Sequence, residues 1–370
     1  MKKCKPVLWI TTRSLIVCLF ATLAITVQVS AQKITTFDVP GAGTGSGQGT
    51  VGIGINVYGA ITGYYLDSSN VFHCFLRASD GTITTFDAPG AGTGPFYGTL
   101  AFGINQEGAI TGYDVAPSGI FHGFLRAPDG TITTFDVPNA GTGFLQGTFS
   151  GAINDFGAIA GYYVDSGGVS HAYLRHPNGT FTHFDPKGST GTFPGFISGL
   201  NDFGAINGFY VDASNVQHCF IRASKGAITT CDAPGAGTGS GQGSSAGSIN
   251  NFGAIAGYYV DSSGVDHGYL RTEKGKITTF DVKGAGTGSG QGTEAFNIND
   301  FGAITGVYTD AGNVYHGFLR NPKGKITTFD APGAGTGSGQ GTVPNSNNFG
   351  GSITGNYIDS NGVYHGFLRQ

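Results

Sequence analysis

The sequence predicts an all-β fold, a seven-bladed ring of four-stranded antiparallel sheets, on three observations. First, the tag Ile-Thr-Thr-Phe-Asp or a close variant ends at Asp38, Asp87, Asp136, Asp185, Asp232, Asp281 and Asp330, at spacings of 49, 49, 49, 47, 49 and 49 residues. Second, two other tags keep that period: His-x-Phe/Tyr-Leu/Ile-Arg, and Asn-x-x-Gly from Asn56 to Asn299 with a degenerate copy at Asn348. Third, every repeat divides into four short strand-like runs separated by turn signals. Units of this size and strand content, repeated seven times, are the signature of a β-propeller. An open solenoid is the alternative, but no repeat departs from the pattern as an end cap would.

The elements follow in order. Residues 1–31 read as a secretory signal: Lys2, Lys3, Lys5 and Arg13, an apolar run from Leu15 to Val27, then Val29-Ser30-Ala31. Residues 32–370 are then expected to be one secreted domain, extracellular or periplasmic, with no segment apolar enough to insert in a membrane. This domain opens with a lone strand D, Ile34 to Asp38. In each repeat strand A ends in Ile-Asn, B reads Gly-Ala-Ile-Thr-Gly-Tyr-Tyr, C reads Val-Phe-His-Gly-Phe-Leu-Arg, and D is the Ile-Thr-Thr-Phe-Asp tag. The B-to-C turn carries only Asn or Gly at its fourth position (Asn70, Gly119, Gly168, Asn215, Gly264, Asn313, Gly362), as a type I turn with a left-handed bulge residue requires. The chain ends just after a C strand, His365 to Arg369, so the first strand is expected to complete the last blade.

The C-to-D turn sets a register. It places His73 opposite Asp87, His122 opposite Asp136, His171 opposite Asp185, His218 opposite Asp232, His267 opposite Asp281, His316 opposite Asp330, and, through closure, His365 opposite Asp38. Beside each pair a small residue faces a Phe, for example Gly123 and Phe135. A carboxylate beside an imidazole can serve acid-base chemistry. Seven copies without a nucleophile read instead as a structural pin between C and D. Arg77 and its equivalents read as hydrogen-bond donors between blades.

Composition narrows the function classes. Charged residues are 11% and aromatics 12%, with 67 Gly in no triplet period, which excludes a disordered polyelectrolyte and collagen. Four of the 19 basic residues and none of the 23 acidic ones lie in 1–31, leaving 15 against 23, a net charge of −8. Such a chain is a poor partner for nucleic acid or anionic membranes. The turn aspartates Asp67, Asp165, Asp212, Asp261, Asp310 and Asp359 offer one carboxylate each, too few for calcium, and are explained by bonding to their own turns. Gly41-x-Gly43-x-Gly45 lacks the strand-then-helix context of a phosphate loop. No metal or cofactor is expected.

Three consecutive D-to-A linkers depart from Gly-Ser-Gly-Gln-Gly: Pro95-Phe96-Tyr97, Phe144-Leu145-Gln146 and Thr192-Phe193-Pro194-Gly195-Phe196. The other linkers read as flexible. Linkers share one face of a meander ring, so Phe96, Tyr97, Phe144, Leu145, Phe193 and Phe196 are expected to form one exposed ligand-binding patch. Cys219 faces Cys231, and in an oxidising compartment the pair is a candidate disulfide. Against it, Cys74 occupies the same C-strand position opposite Phe86 with no partner, so Cys is also tolerated there as a small buried residue.

The run Ile-Asn-x-x-Gly-x-Ile-x-Gly followed by His-Ala-Tyr-Leu, as at Ile153 to Leu174, resembles the extracellular repeats of the HAF family of secreted bacterial proteins. The resemblance covers all seven units and departs from the family where Arg77 and its equivalents replace the final aromatic. It implies an extracellular propeller-like array and carries no catalytic residue. Two function classes remain. One is a non-enzymatic binding or scaffold module recognising a glycan or a protein through loops on one face. The other is a secreted polysaccharide hydrolase or lyase with its site at the propeller mouth.

Overall fold

In the computed structural model, which describes residues 32–370, every described element is a β-strand, 28 in all. The signal reading, with Cys4 and Cys18, lies outside the described residues. The first repeat shows the plan: A is Gly49–Ile55, B Ile61–Leu66, C Phe72–Arg77 and D Ile83–Phe86, each pairing antiparallel with the next. The Asn and Gly residues at the B-to-C turns all take positive φ, so the turn chemistry holds the register as expected. The lone strand Ile34–Phe37 pairs antiparallel with Tyr364–Arg369, setting Phe37 opposite Gly366. A Cβ on Gly366 would lie 2.6 Å from the Phe37 ring, so glycine there makes room for the aromatic.

In the first repeat strand A is buried along its whole length and B nearly so, while D exposes its two central threonines. Fully buried Phe75, Phe124, Tyr173, Phe220, Tyr269, Phe318 and Phe367 fill the joints between blades, each burial stabilising by roughly 2 kcal/mol. The Phe of one D strand meets the next blade's C-strand ring edge-on, as Phe37 does Phe75 with centroids 5.9 Å apart. The recurring arginines finish these joints by stacking: Arg77, Arg126, Arg175, Arg222, Arg320 and Arg369 lie over Phe37, Phe86, Phe135, Phe184, Phe280 and Phe329 of the neighbouring blade at 4.5–5.1 Å. Where the sequence suggested hydrogen bonds between blades, Arg77 donates from Nη1 to Ala78 O within its own blade. A planar guanidinium over a ring face gains a cation–π attraction.

Strand A carries a feature invisible in the sequence. Its register with B slips between Gly52 and Gly54, Ala101 and Gly103, Ser150 and Ala152, Ala246 and Ser248, Ala295 and Asn297, and Pro344 and Ser346. The extra residue at each bulge (Ile53, Phe102, Gly151, Gly247, Phe296, Asn345) is re-aimed out of the ladder. Glycines beside the bulges let neighbouring A strands approach: a Cβ on Gly54 would stand 2.7 Å from the Phe102 carbonyl.

The glycine-rich linkers are pinned rather than flexible. Gln48 Oε1 accepts Gly45 N–H while its amide donates to Ser68 O and Asn70 Oδ1, and Gly47 N–H reaches Gly362 O in the preceding B-to-C turn. Six of the linkers thereby tie two blades on the face they share with the B-to-C turns, through N–H bonds from Gly47, Phe96, Leu145, Gly241, Gly290 and Gly339 to the preceding turn.

Candidate functional site

The His-Asp register forms in every unit, with His Nδ1 to Asp distances of 2.8–3.0 Å at His73–Asp87, His122–Asp136, His171–Asp185, His218–Asp232, His267–Asp281, His316–Asp330 and His365–Asp38. The structure adds a second carboxylate. His Nε2 lies 3.4–3.7 Å from Asp67, Asp165, Asp212, Asp261, Asp310 or Asp359, whose other oxygen caps the B-to-C turn. Tyr65 and its equivalents stack on the imidazole at 4.8–5.2 Å. The second unit breaks both contacts together, with Asp114 in place of the Tyr and Ala116 in place of the turn Asp. Asp114 is buried, and burial pushes its carboxyl up to about 7, opposed by His122.

Cys219 and Cys231 are joined in a disulfide with Cα atoms 4.9 Å apart. Cys231 N–H donates to Cys219 O, whereas Cys219 N–H turns to Asp232 Oδ1. The disulfide stands where other joints have a Phe, and Tyr269 OH points at Cys219 Sγ, 3.4 Å away. Cys74 is free and buried.

The predicted aromatic patch divides in two. Phe96, Tyr97, Phe144 and Leu145 sit on linkers and, with Phe72, Tyr113 and Phe121, line a groove of about 350 Å³. Phe96 and Leu145 have φ of 65° and 62° at positions where other linkers place Gly, a strain of about 1 kcal/mol or more each that the fold does not need. Phe193 and Phe196 are not on a linker. Gly191–Pro194 is the A strand of its blade, with Phe193 opposite Phe209, because Thr192 fills the buried hydroxyl position, Thr in six blades and Ser244 in the other, that follows the first glycine of every A strand. The fourth linker is therefore short, and the extra residues fall after the strand, in the turn at residues 195–198.

Phe193 and Phe196 belong to a chain of rings around the mouth that opens on the linker face. Tyr64 meets Phe102, Phe102 meets Tyr113 and Phe196, Phe149 meets Tyr113, Phe121 and Tyr162, and Tyr162 meets Phe193, at centroid distances of 4.2–6.3 Å. This arc spans the first four blades. Burial pushes the phenols of Tyr64 and Tyr162 up to about 12, so they stay neutral donors. The first ring of the arc, Tyr64, also lines a cavity of about 510 Å³ that combines apolar Val51, Leu66 and Ile358 with the polar Glu294, Asn345 and Asn356. Burial, then the charge of Asp266, raises Glu294 to about 7, and burial raises Asp266 to about 6. Tyr258 is raised by burial and by both carboxylates. Asn345 is fixed by bonds from its amide to Gly52 O and Asn356 Oδ1.

Sequence reasoning missed Glu294, Asp266 and most of the ring arc. A signal existed: the third residue of strand A reads Val51, Leu100, Phe149, Phe193, Ser245, Glu294 and Val343, varying where the Gly and the Thr or Ser before it recur. Among the described residues no group of three or more His, Cys, Asp or Glu is arranged to hold a metal ion, and no helix is long and apolar enough to cross a membrane.

No protein-family model and no curated protein matches the chain. Among solved structures it is similar to virginiamycin B lyase from Staphylococcus aureus, at 15% identity and TM-score 0.57, over 92% of this chain and 100% of that one. It is similar to the BP39L lectin from Burkholderia pseudomallei, at 12% identity and TM-score 0.54, over 83% and 91%. It is also similar to puromycin hydrolase, at 10% identity and TM-score 0.51, over 84% of this chain and 50% of that one. At these identities the likeness is one of fold, a β-propeller of four-stranded blades.

Proposed function

We propose that the chain is a secreted, HAF-like carbohydrate-binding propeller whose seven blades close into one ring. Closure is supported by the pairing of Ile34–Phe37 with the last C strand and by the bond from Asn348 to Asn56. Secretion rests on the signal-like residues 1–31. The observation that carries the binding reading is the linker-face cavity in which Tyr64, the first ring of the aromatic arc, stands with Glu294, Asn345 and Asn356. Rings stack on the apolar faces of sugars, while amides and a carboxyl bond their hydroxyls. The lectin similarity supports this reading at the level of fold.

A glycan array probed with residues 32–370 tests it. A defined glycan class is expected to bind, and Phe196→Ala and Glu294→Gln are each expected to weaken it at least tenfold. Binding that survives both substitutions would move the site away from this mouth.

A second reading has its own observation. Glu294 near neutrality, beside Tyr258, suits proton transfer in a polysaccharide lyase or hydrolase, and the lyase similarity is compatible with that. Release of unsaturated or reducing ends from a bound polysaccharide, abolished by Glu294→Gln, would favour it over simple binding.

A further inference from the structure

The opposite face of the ring, built from the Asn-x-x-Gly turns, has a different character. Its axial mouth, about 250 Å³, is lined by Gln106, Asp155, Asp202, Asn251 and Asp300, and no Lys or Arg is among the lining residues. The carboxylates are held in place: Asp155 Oδ1 accepts Gln106 N–H, Asp202 Oδ1 accepts Asp155 N–H and Asp300 Oδ1 accepts Asn251 N–H, all at 2.8–2.9 Å. The Asn251 amide joins Asp202 Oδ2 to Asp300 Oδ2. Burial and the charges of Asp202, Glu107 and Asp300 raise the Asp155 pKa against its backbone bond, the mark of negative charge left uncompensated.

Around this mouth stands a crown of exposed rings: Tyr58, Phe156, Phe203 and Phe252 are 70–71% exposed, Phe301 59% and Phe349 50%. The turn does not require them. Its Asn caps the two N–H groups that follow and its Gly supplies positive φ, so the residue between is free to be polar. Six aromatics of seven at a solvent-facing turn tip, with only Phe301 and Phe349 touching each other, are a surface built for contact.

We propose that this face docks a Lys- or Arg-bearing segment of a partner protein, its cationic group entering between Asp155, Asp202 and Asp300 and its flanks lying on the crown. Ring faces and carboxylates together are the chemistry that holds a guanidinium or ammonium. Charge selects this occupant over two others. A second copy would bring two acidic mouths together, and an anionic bilayer would be repelled by the same carboxylates.

The test is fluorescence anisotropy of labelled hexa-arginine amide with residues 32–370, and labelled hexa-glutamate as charge control. Hexa-arginine is expected to bind and hexa-glutamate not. Phe156→Ser/Phe203→Ser/Phe252→Ser and, separately, Asp155→Asn/Asp202→Asn should each weaken binding at least tenfold. Removing two exposed charges from the outer C-to-D turns, Asp80→Asn/Asp129→Asn, should change it less than twofold. Should the triple Phe variant melt below the wild type, the isosteric Asp variant decides. Absence of hexa-arginine binding, or equal weakening by the outer-turn variant, overturns the proposal in favour of no site or of diffuse attraction. Crown-dependent dimerisation in sedimentation, or crown-dependent pelleting with phosphatidylserine vesicles, overturns it in favour of the other occupants.

Discussion

The side-chain amide of Asn348 donates to the backbone carbonyl of Asn56 at 2.9 Å, across 292 positions of sequence. It is one step of a relay in which Asn56 donates to Asn105, and so on through Asn154, Asn201, Asn250 and Asn299 to Asn348, at 2.9–3.3 Å. In all seven of these residues Oδ1 also caps the local turn, so one buried side chain both shapes its hairpin and ties it to the next blade.

Deleting Lys33–Asp38 removes the strand opposite Tyr364–Arg369 and the Asp38 partner of His365. Stability should fall by several kcal/mol, because a strand's ladder and packing go together and the C strand of the last blade becomes an edge. Urea unfolding of the truncated and full 32–370 chains measures it. Coincident transitions would show that the first strand adds nothing.

His171 and His218 set a pH dependence. Burial alone would lower their pKa, but the bonds and charges of Asp185 and Asp165, and of Asp232 and Asp212, outweigh it and raise the pKa. A raised imidazole pKa stabilises the fold below the unfolded value of about 6.5, and that contribution is lost as pH rises through the folded value. The chain should therefore be less stable at pH 8 than at pH 6, and His171→Asn/His218→Asn should reduce that difference. An unchanged difference in urea midpoints would remove these two residues from the account. Asp165 and Asp212 act at the other end: turn N–H bonds, from Val169 and Val216 first, lower their pKa, so their contribution is lost only on acidification.

Glu294 is a carboxylate like Asp165 and Asp212 but acts in the direction of His171 and His218. Its carboxyl, raised to about 7, holds its proton more tightly in the folded state, so stability falls as pH rises from the unfolded carboxylate range toward 7. Glu294→Gln should stabilise the chain by about 2 kcal/mol at pH 8 and by almost nothing at pH 4. Equal effects at both pH values would mean that packing, not charge, governs the site.

With Cys219 and Cys231 joined and Cys74 free, thiol titration of unfolded, unreduced 32–370 should give one thiol. Reduction should lower stability by no more than about 3 kcal/mol, because the bridge closes a separation of only 12 residues. Three thiols would exclude the bridge.

The repeat, the four-strand unit and the His-Asp register were legible because each rests on local chemistry that recurs. A turn needing Asn or Gly at one position, a Phe needing a Gly across the ladder, and an imidazole beside a carboxylate leave marks at fixed spacing, and the period multiplies the signal. The fourth linker misled because Thr192-Phe193-Pro194 looks like linker by its neighbours; only its pairing with Gly208–Tyr210 makes it a strand. The mouth of the ring was decided by tertiary structure alone. Its residues come from bulges whose existence depends on A-strand pairing, and from blades far apart in sequence. Glu294 and Phe149 lie on strands of blades far apart in sequence, and nothing along the chain relates them. The exposed crown was present in the sequence as Asn-Asp-Phe-Gly, but a Phe in a repeat reads as core. Only the turn geometry, which satisfies its own backbone and sends that ring outward, shows that nothing inside the fold needs it.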